Sequence, residues 1–100
     1  MSEVINETNS TGSPASYTSA LIYPSRRMGI RGTLQVEISG GGAATVKVQG
    51  RLGGTATFMD VLESDLTSSG ITTNVPLTGT MQVTATGVSD GTTLKVFLES

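Results

Sequence analysis

The stretch MQVTATGVSDGTTLKVFLE, residues 81–99, decides the fold. Apolar residues alternate with polar ones in both of its halves, at Met81, Val83 and Ala85 and then at Leu94, Val96 and Leu98. Alternation with a period of two is typical of a β-strand that buries one face. The Asp90-Gly91 pair between the halves favours a tight turn. We therefore predict two amphipathic strands that form a hairpin.

The same alternation appears twice more upstream of this stretch. It runs through residues 30–38 and again through residues 46–52, and Gly40-Gly41-Gly42 between them provides a loop that tolerates positive φ. These two segments predict a second hairpin. Weaker alternation predicts further short strands within residues 15–23, 55–62 and 71–77, and Pro76 restricts the last of these to the edge of a sheet.

Six or seven short strands, each with one apolar face, favour an all-β fold. At 100 residues the chain has the size of one domain. We expect residues 15–100 to form a single small antiparallel β-sandwich, either immunoglobulin-like (Ig-like) or jelly-roll-like. The predicted core consists of Leu34, Val36, Ile38, Val46, Val48, Phe58, Val83, Leu94 and Val96.

Residues 1–14 form a polar segment rich in Ser, Thr and Asn that ends at Pro14. Its few apolar side chains do not bury enough surface to offset the conformational entropy of ordering a backbone. We expect an extended N-terminal arm outside the main core. Such an arm lies either on its own domain or on a neighbouring subunit, where Val4 and Ile5 would contact the partner.

The composition excludes most catalytic chemistry, because the chain has no His and no Cys. Lys47 and Lys95 fall at outward positions of their strands, where solvation keeps an amine protonated. We expect no enzymatic activity, no cofactor and no metal. Asp60, Glu63 and Asp65 form the main carboxylate cluster, which is interpreted as a solvated acidic loop, with a calcium site as the alternative.

Arg26, Arg27 and Arg31 form the main basic cluster in a chain of net charge −2. This charge balance argues against a nucleic-acid or membrane partner. The cluster either pairs with acidic strands of its own domain, contacts an acidic protein surface, or binds phosphate. Tyr17 and Tyr23 flank the junction between arm and domain, where they pack against the core, anchor an interface or stack on a sugar ring.

Two targeting signals have no counterpart in the sequence. The apolar runs are far shorter than the roughly 20 residues of a transmembrane helix. The N-terminus carries Glu3 and Glu7 where a secretory signal would carry basic and then apolar residues. We expect neither a signal peptide nor a transmembrane segment, and the absence of Cys favours assembly in a reducing cytoplasm.

The segments VKVQGRLGGTATFMDVLESD and LTGTMQVTATGVSDGTTLKVFLES resemble small β-sandwich virion structural proteins of tailed bacteriophages, over about residues 46–98. The shared pattern is a strand ending in Gly, a Gly-containing turn, a Thr followed by an aromatic residue, and closing strands around an Asp-Gly turn. Phe58 stands where a Trp is common in that pattern.

The resemblance implies a non-enzymatic, often oligomeric virion protein, such as a capsid decoration protein, a head–tail component or a fibre base. We expect a decoration protein that binds a capsid protein or another virion protein and that is a homo-oligomer or is bound to the lattice. Its candidate contacts are Val4, Ile5, Tyr17, Tyr23, Arg26, Arg27 and Arg31. The alternative is a carbohydrate-binding or host-adhesion module of a fibre or tail.

Overall fold

The computed structural model describes residues 2–23, 31–77 and 79–99. Within these ranges the chain forms eight β-strands and no helix. The strands are β1 (Ser2–Thr8), β2 (Ala15–Thr18), β3 (Arg31–Ser39), β4 (Thr45–Arg51), β5 (Met59–Asp60), β6 (Gly70–Pro76), β7 (Thr80–Val88) and β8 (Thr93–Glu99).

The strands build two antiparallel sheets of four strands each. The first sheet has the order β1-β8-β3-β6 and the second has the order β2-β7-β4-β5. Apolar side chains from both sheets form one core between them. The predicted β-sandwich is therefore confirmed, and its strand order is that of the eight-stranded jelly roll.

The core follows the alternation of the sequence. Seven of the nine predicted core residues are buried: Leu34, Val36, Val46, Val48, Val83, Leu94 and Val96. Ile38 is half-buried and packs against this cluster. Phe58 lies outside the core, for a reason given below. Leu52 was predicted on the buried face of its strand, but β4 ends at Arg51 and Leu52 is exposed.

Both predicted hairpins are wrong, because each turn crosses from one sheet to the other. Ser39, at the end of β3, pairs with Thr93 of β8, whereas Thr45, at the start of β4, pairs with Thr86 of β7. Alternation shows which face of a strand is buried but not which sheet the strand joins. Facing strands of a sandwich bury the same alternate positions as neighbouring strands do.

The crossing loops lie side by side at one end of the sandwich, which we call the crossing end. Ser89 donates its backbone N–H to the carbonyl oxygen of Ala43 over 2.9 Å. Ala43 in turn donates its N–H to Oγ of Ser89 over 3.0 Å. These bonds continue the pairing of β4 with β7 into the loops and fix how the two sheets are joined.

Of the two placements expected for the N-terminal arm, the structure has the arm on its own domain, and part of it enters the core. Residues 2–8 pair with β8 along the edge of the first sheet, and Ile5 is 4% exposed within the core. Asn9 is fully buried just after the strand. Composition alone misled here because backbone hydrogen bonds to a neighbouring strand order a polar segment without requiring many apolar side chains.

Candidate functional site

The structure does not gather the partner-contact residues predicted from the sequence onto one surface. Ile5 is buried in the core, and Val4 and Tyr17 are partly buried against it, whereas their contact with a partner stays a prediction. Tyr23 is 73% exposed, and Arg31 is exposed at the start of β3. Arg26 and Arg27 lie outside the described residues.

Exposed apolar side chains instead collect at the end of the second sheet opposite the crossing end. Four large ones lie there: Leu21, Tyr23, Leu52 and Met59. We call these four residues, together with Arg51 and Phe58, the distal patch. Leu52 and Met59 are 73% and 69% exposed, and both line the same cleft.

The distal patch has two parts, Leu21 with Tyr23 and the group within residues 51–59. Backbone pairing places both parts at the same end of the second sheet. Ile22 forms an isolated bridge with Met81, so its neighbours in sequence lie beside β7. Gly50 pairs with Met81 on one side and with Met59 on the other. These pairs form a row across the sheet in the order Ile22, Met81, Gly50 and Met59. Neighbouring strands are about 5 Å apart, so Ile22 lies roughly 15 Å from Met59.

Arg51 and Phe58 form a stacked pair within the patch. The guanidinium carbon of Arg51 lies 4.4 Å from the centroid of the Phe58 ring. A cation over a ring within about 6 Å is attracted by the quadrupole of the ring. Phe58 was predicted as a core residue, but it precedes β5 in a loop and is half-buried beneath Arg51. Nε of Arg51 is buried and has no hydrogen-bond partner among the described residues.

A shallow cleft of about 410 Å³ adjoins this pair. Its lining consists of Gly50, Arg51, Leu52, Ala56, Thr57 and Met59. The surroundings of the cleft are mostly apolar, and the guanidinium provides strong hydrogen-bond donors. The cleft therefore suits an apolar group accompanied by a carboxylate or carbonyl oxygen.

A polar strip crosses the outer face of the same sheet next to the patch. Gln82 donates from Nε2 to Oε1 of Gln49 over 3.0 Å, and Gln49 donates from its own Nε2 to Oδ1 of Asp60 over 3.0 Å. The pairing of Gln49 with Gln82 between β4 and β7 aligns these side chains. The strip is held by its own hydrogen bonds and presents a fixed polar surface.

One lysine lies within ion-pair distance of two of the three carboxylates in the cluster identified from the sequence. Nζ of Lys47 lies 4.0 Å from Oδ2 of Asp60 and 3.9 Å from Oδ1 of Asp65. Among the residues that the structure describes, no three potential metal ligands come together. The side chains of both pairs are 35–44% exposed, so each ion pair contributes at most about 1 kcal/mol to stability.

Sequence reasoning missed Arg51, Leu52 and Met59. The signal available was the segment RLGG, residues 51–54, in which two glycines end the strand directly after Leu52. A strand that ends there leaves Leu52 on the turn and outside the core. Recognising the patch also required the pairing of β4 with β5, which two residues of strand are too short to reveal.

No helix among the described residues has the length and apolar character needed to cross a membrane. Comparison of the chain with protein-family models, with curated proteins and with solved structures finds no match.

Proposed function

We propose that this chain is a non-enzymatic structural protein that docks through its distal patch on a protein lattice, as a decoration protein of a virion does. The observation that carries the proposal is the cleft in which two exposed apolar side chains, Leu52 and Met59, lie beside the stacked Arg51–Phe58 pair. Tyr, Met and Arg are enriched at protein–protein interfaces. The resemblance over residues 46–98 supports the virion setting.

The patch has the composition of an interface centre. Burying Leu52 and Met59 against a partner would remove apolar surface from water, at about 25 cal/mol per Å². The guanidinium of Arg51 would offer N–H donors to an acceptor on the partner. The proposed partner surface is therefore apolar and offers a carboxylate or a free carbonyl oxygen.

Docking on an assembled lattice would stabilise that lattice by mass action. A ligand that binds the assembled shell and not its free subunits shifts the equilibrium against disassembly. This mechanism needs no reacting group, in keeping with a chain that has no His or Cys.

Sugar binding is the second candidate function. The polar strip of Gln82, Gln49 and Asp60 offers fixed donors and acceptors on a flat sheet, and Tyr23 is exposed nearby for stacking. Tyr17 packs against the core, and Arg51 covers one face of the Phe58 ring. These positions leave fewer aromatic faces for a sugar, and so they favour the protein partner.

Co-sedimentation separates the two candidates. The purified chain is mixed with assembled capsids, and separately with unassembled coat protein, of the virus whose genome encodes it. It is also applied to a glycan array. Lattice docking predicts a fixed number of copies on capsids, little binding to unassembled coat protein and no glycan signal. Glycan-dependent binding without capsid binding would overturn the proposal in favour of adhesion.

A further inference from the structure

Strand β6 forms an edge of the first sheet that carries no charged residue. Within the described ranges it pairs only with β3. Its sequence, GITTNVP, carries no charge, and Ile71 on it is 66% exposed. Edge strands expose unpaired backbone N–H and C=O groups, and natural proteins usually protect them with charges, bulges or short length.

The other three edges of the sandwich are protected in these ways. β1 carries Glu3 and Glu7 and has an irregular register between Glu3 and Ile5. β2 has four residues and a register shift, and β5 has only two residues. β2 is also uncharged, but β6 carries the large exposed apolar side chain of Ile71, and this side chain favours β6 as a surface for strand addition.

The geometry points to a second copy of this chain as the partner of β6, paired antiparallel across a two-fold axis. In such a pair, the edge backbone groups of each copy that face away from β3 would bond those of the other. The two four-stranded sheets would then join into one sheet of eight strands. This inference is independent of the distal patch, which lies on the other sheet.

Two features of β6 set the length of the paired stretch. Asn74 has a φ of 59°, and the register of β6 against β3 shifts between Gly32 and Leu34, so the strand is irregular at this point. Pro76 has no backbone N–H to donate. The regular stretch available to a partner is therefore residues 70–73.

Charge and side-chain chemistry favour a second copy over a foreign strand. The uncharged stretch meets its own copy without repulsion, whereas two β1 edges would bring glutamates together. Ile71 pairs with Gln35 on its own sheet, and a two-fold axis perpendicular to the sheet at Ile71 would place the two exposed Ile71 side chains opposite each other. That contact would bury apolar surface that is exposed in the single chain.

Sedimentation equilibrium over a concentration series tests the inference on the full chain. We expect a monomer–dimer equilibrium for the unaltered protein. Ile71→Lys should weaken dimerisation at least tenfold, because two lysines would face each other across the axis. Ser16→Lys is the matched control, since it adds the same charge at the exposed edge strand β2 and should leave the dimer unchanged.

Hydrogen exchange identifies the strand involved. The amides of residues 70–73 that point away from β3 should gain protection as the protein concentration rises, and the amides of β1 should not. A monomer at every concentration up to the millimolar range would overturn the inference. So would an Ile71→Lys variant that dimerises as strongly as Ser16→Lys, or protection that rises on β1 instead of β6.

Discussion

The side-chain amide of Asn9 donates a hydrogen bond to the carbonyl oxygen of Val88 over 2.7 Å. The same nitrogen donates to the carbonyl oxygen of Ser13 over 2.7 Å, and Oδ1 accepts from the N–H of Thr11 over 3.0 Å. Asn9 thus ties the loop after β1 to the end of β7. One fully buried polar side chain links the N-terminal strand to both sheets.

Replacing Asn9 with Ala should destabilise the domain by about 2 to 4 kcal/mol, because buried carbonyl groups would lose their donor. Asn6→Ala is the control, since Asn6 is exposed and its side chain bonds only to Glu3 among the described residues. That variant should change stability by less than about 0.5 kcal/mol. Urea denaturation measures both values, and equal effects of the two substitutions would contradict this role for Asn9.

Deleting residues 2–8 should abolish cooperative folding or lower the thermal midpoint strongly. The deletion removes Ile5 from the core and uncovers the edge of β8 along its whole length. Calorimetry of the truncated chain tests this expectation. A truncated chain that melts as cooperatively as the full chain, and near the same temperature, would show that the segment is a dispensable arm.

Alanine substitutions of three glycines in the loop between β3 and β4 distinguish the cost of backbone strain from the cost of a steric clash. Gly41 has a φ of 76° and open space where a side chain would start, so Gly41→Ala should cost about 1 kcal/mol. A Cβ on Gly40 would strike the carbonyl oxygen of Gly91, and a Cβ on Gly42 would strike Oγ1 of Thr92. Both substitutions should therefore destabilise the protein clearly more than Gly41→Ala. Similar free energies of unfolding for all three variants would contradict the close contact of the two crossing loops.

Leu94 and Phe58 should respond differently to truncation. Leu94 is fully buried, so Leu94→Ala should cost about 2 to 5 kcal/mol. Phe58 lies outside the core cluster, and Phe58→Ala should cost less, about 1 to 2 kcal/mol, mainly from the lost contact with Arg51. Chemical denaturation of the two variants side by side gives the comparison. A greater loss for Phe58→Ala would mean that its ring supports the core.

The alternation of apolar residues in β3, β4, β7 and β8 was enough to predict the sandwich and most of its core. It did not predict the topology, because the turns at Gly40 and Gly91 suit a crossing between sheets as well as a hairpin. It also missed β1, whose order depends on backbone pairing with β8 and on the hydrogen bonds of Asn9. Such long-range partners leave no local trace in the sequence.

The candidate site was less predictable than the fold. The sequence drew attention to charge at Arg26, Arg27 and Arg31, whereas the structure shows an apolar patch around a different arginine, Arg51. Exposure of Leu52 depends on where β4 ends, and a shift of one or two residues in a strand boundary reverses the expectation. Tyr23 was the one contact predicted from the sequence that is exposed in the distal patch.

Capsid binding by a distal-patch variant tests the proposed function most directly. Leu52→Ser combined with Met59→Ser changes two exposed side chains and should leave the thermal midpoint nearly unchanged. Arg51→Gln removes a charge inside the patch, and Arg31→Gln, the matched control, removes the same charge outside it. Co-sedimentation with assembled capsids should show at least tenfold weaker binding, about 1.4 kcal/mol, for the double variant and for Arg51→Gln, and unchanged binding for Arg31→Gln. Full binding by the folded double variant would contradict docking through the distal patch.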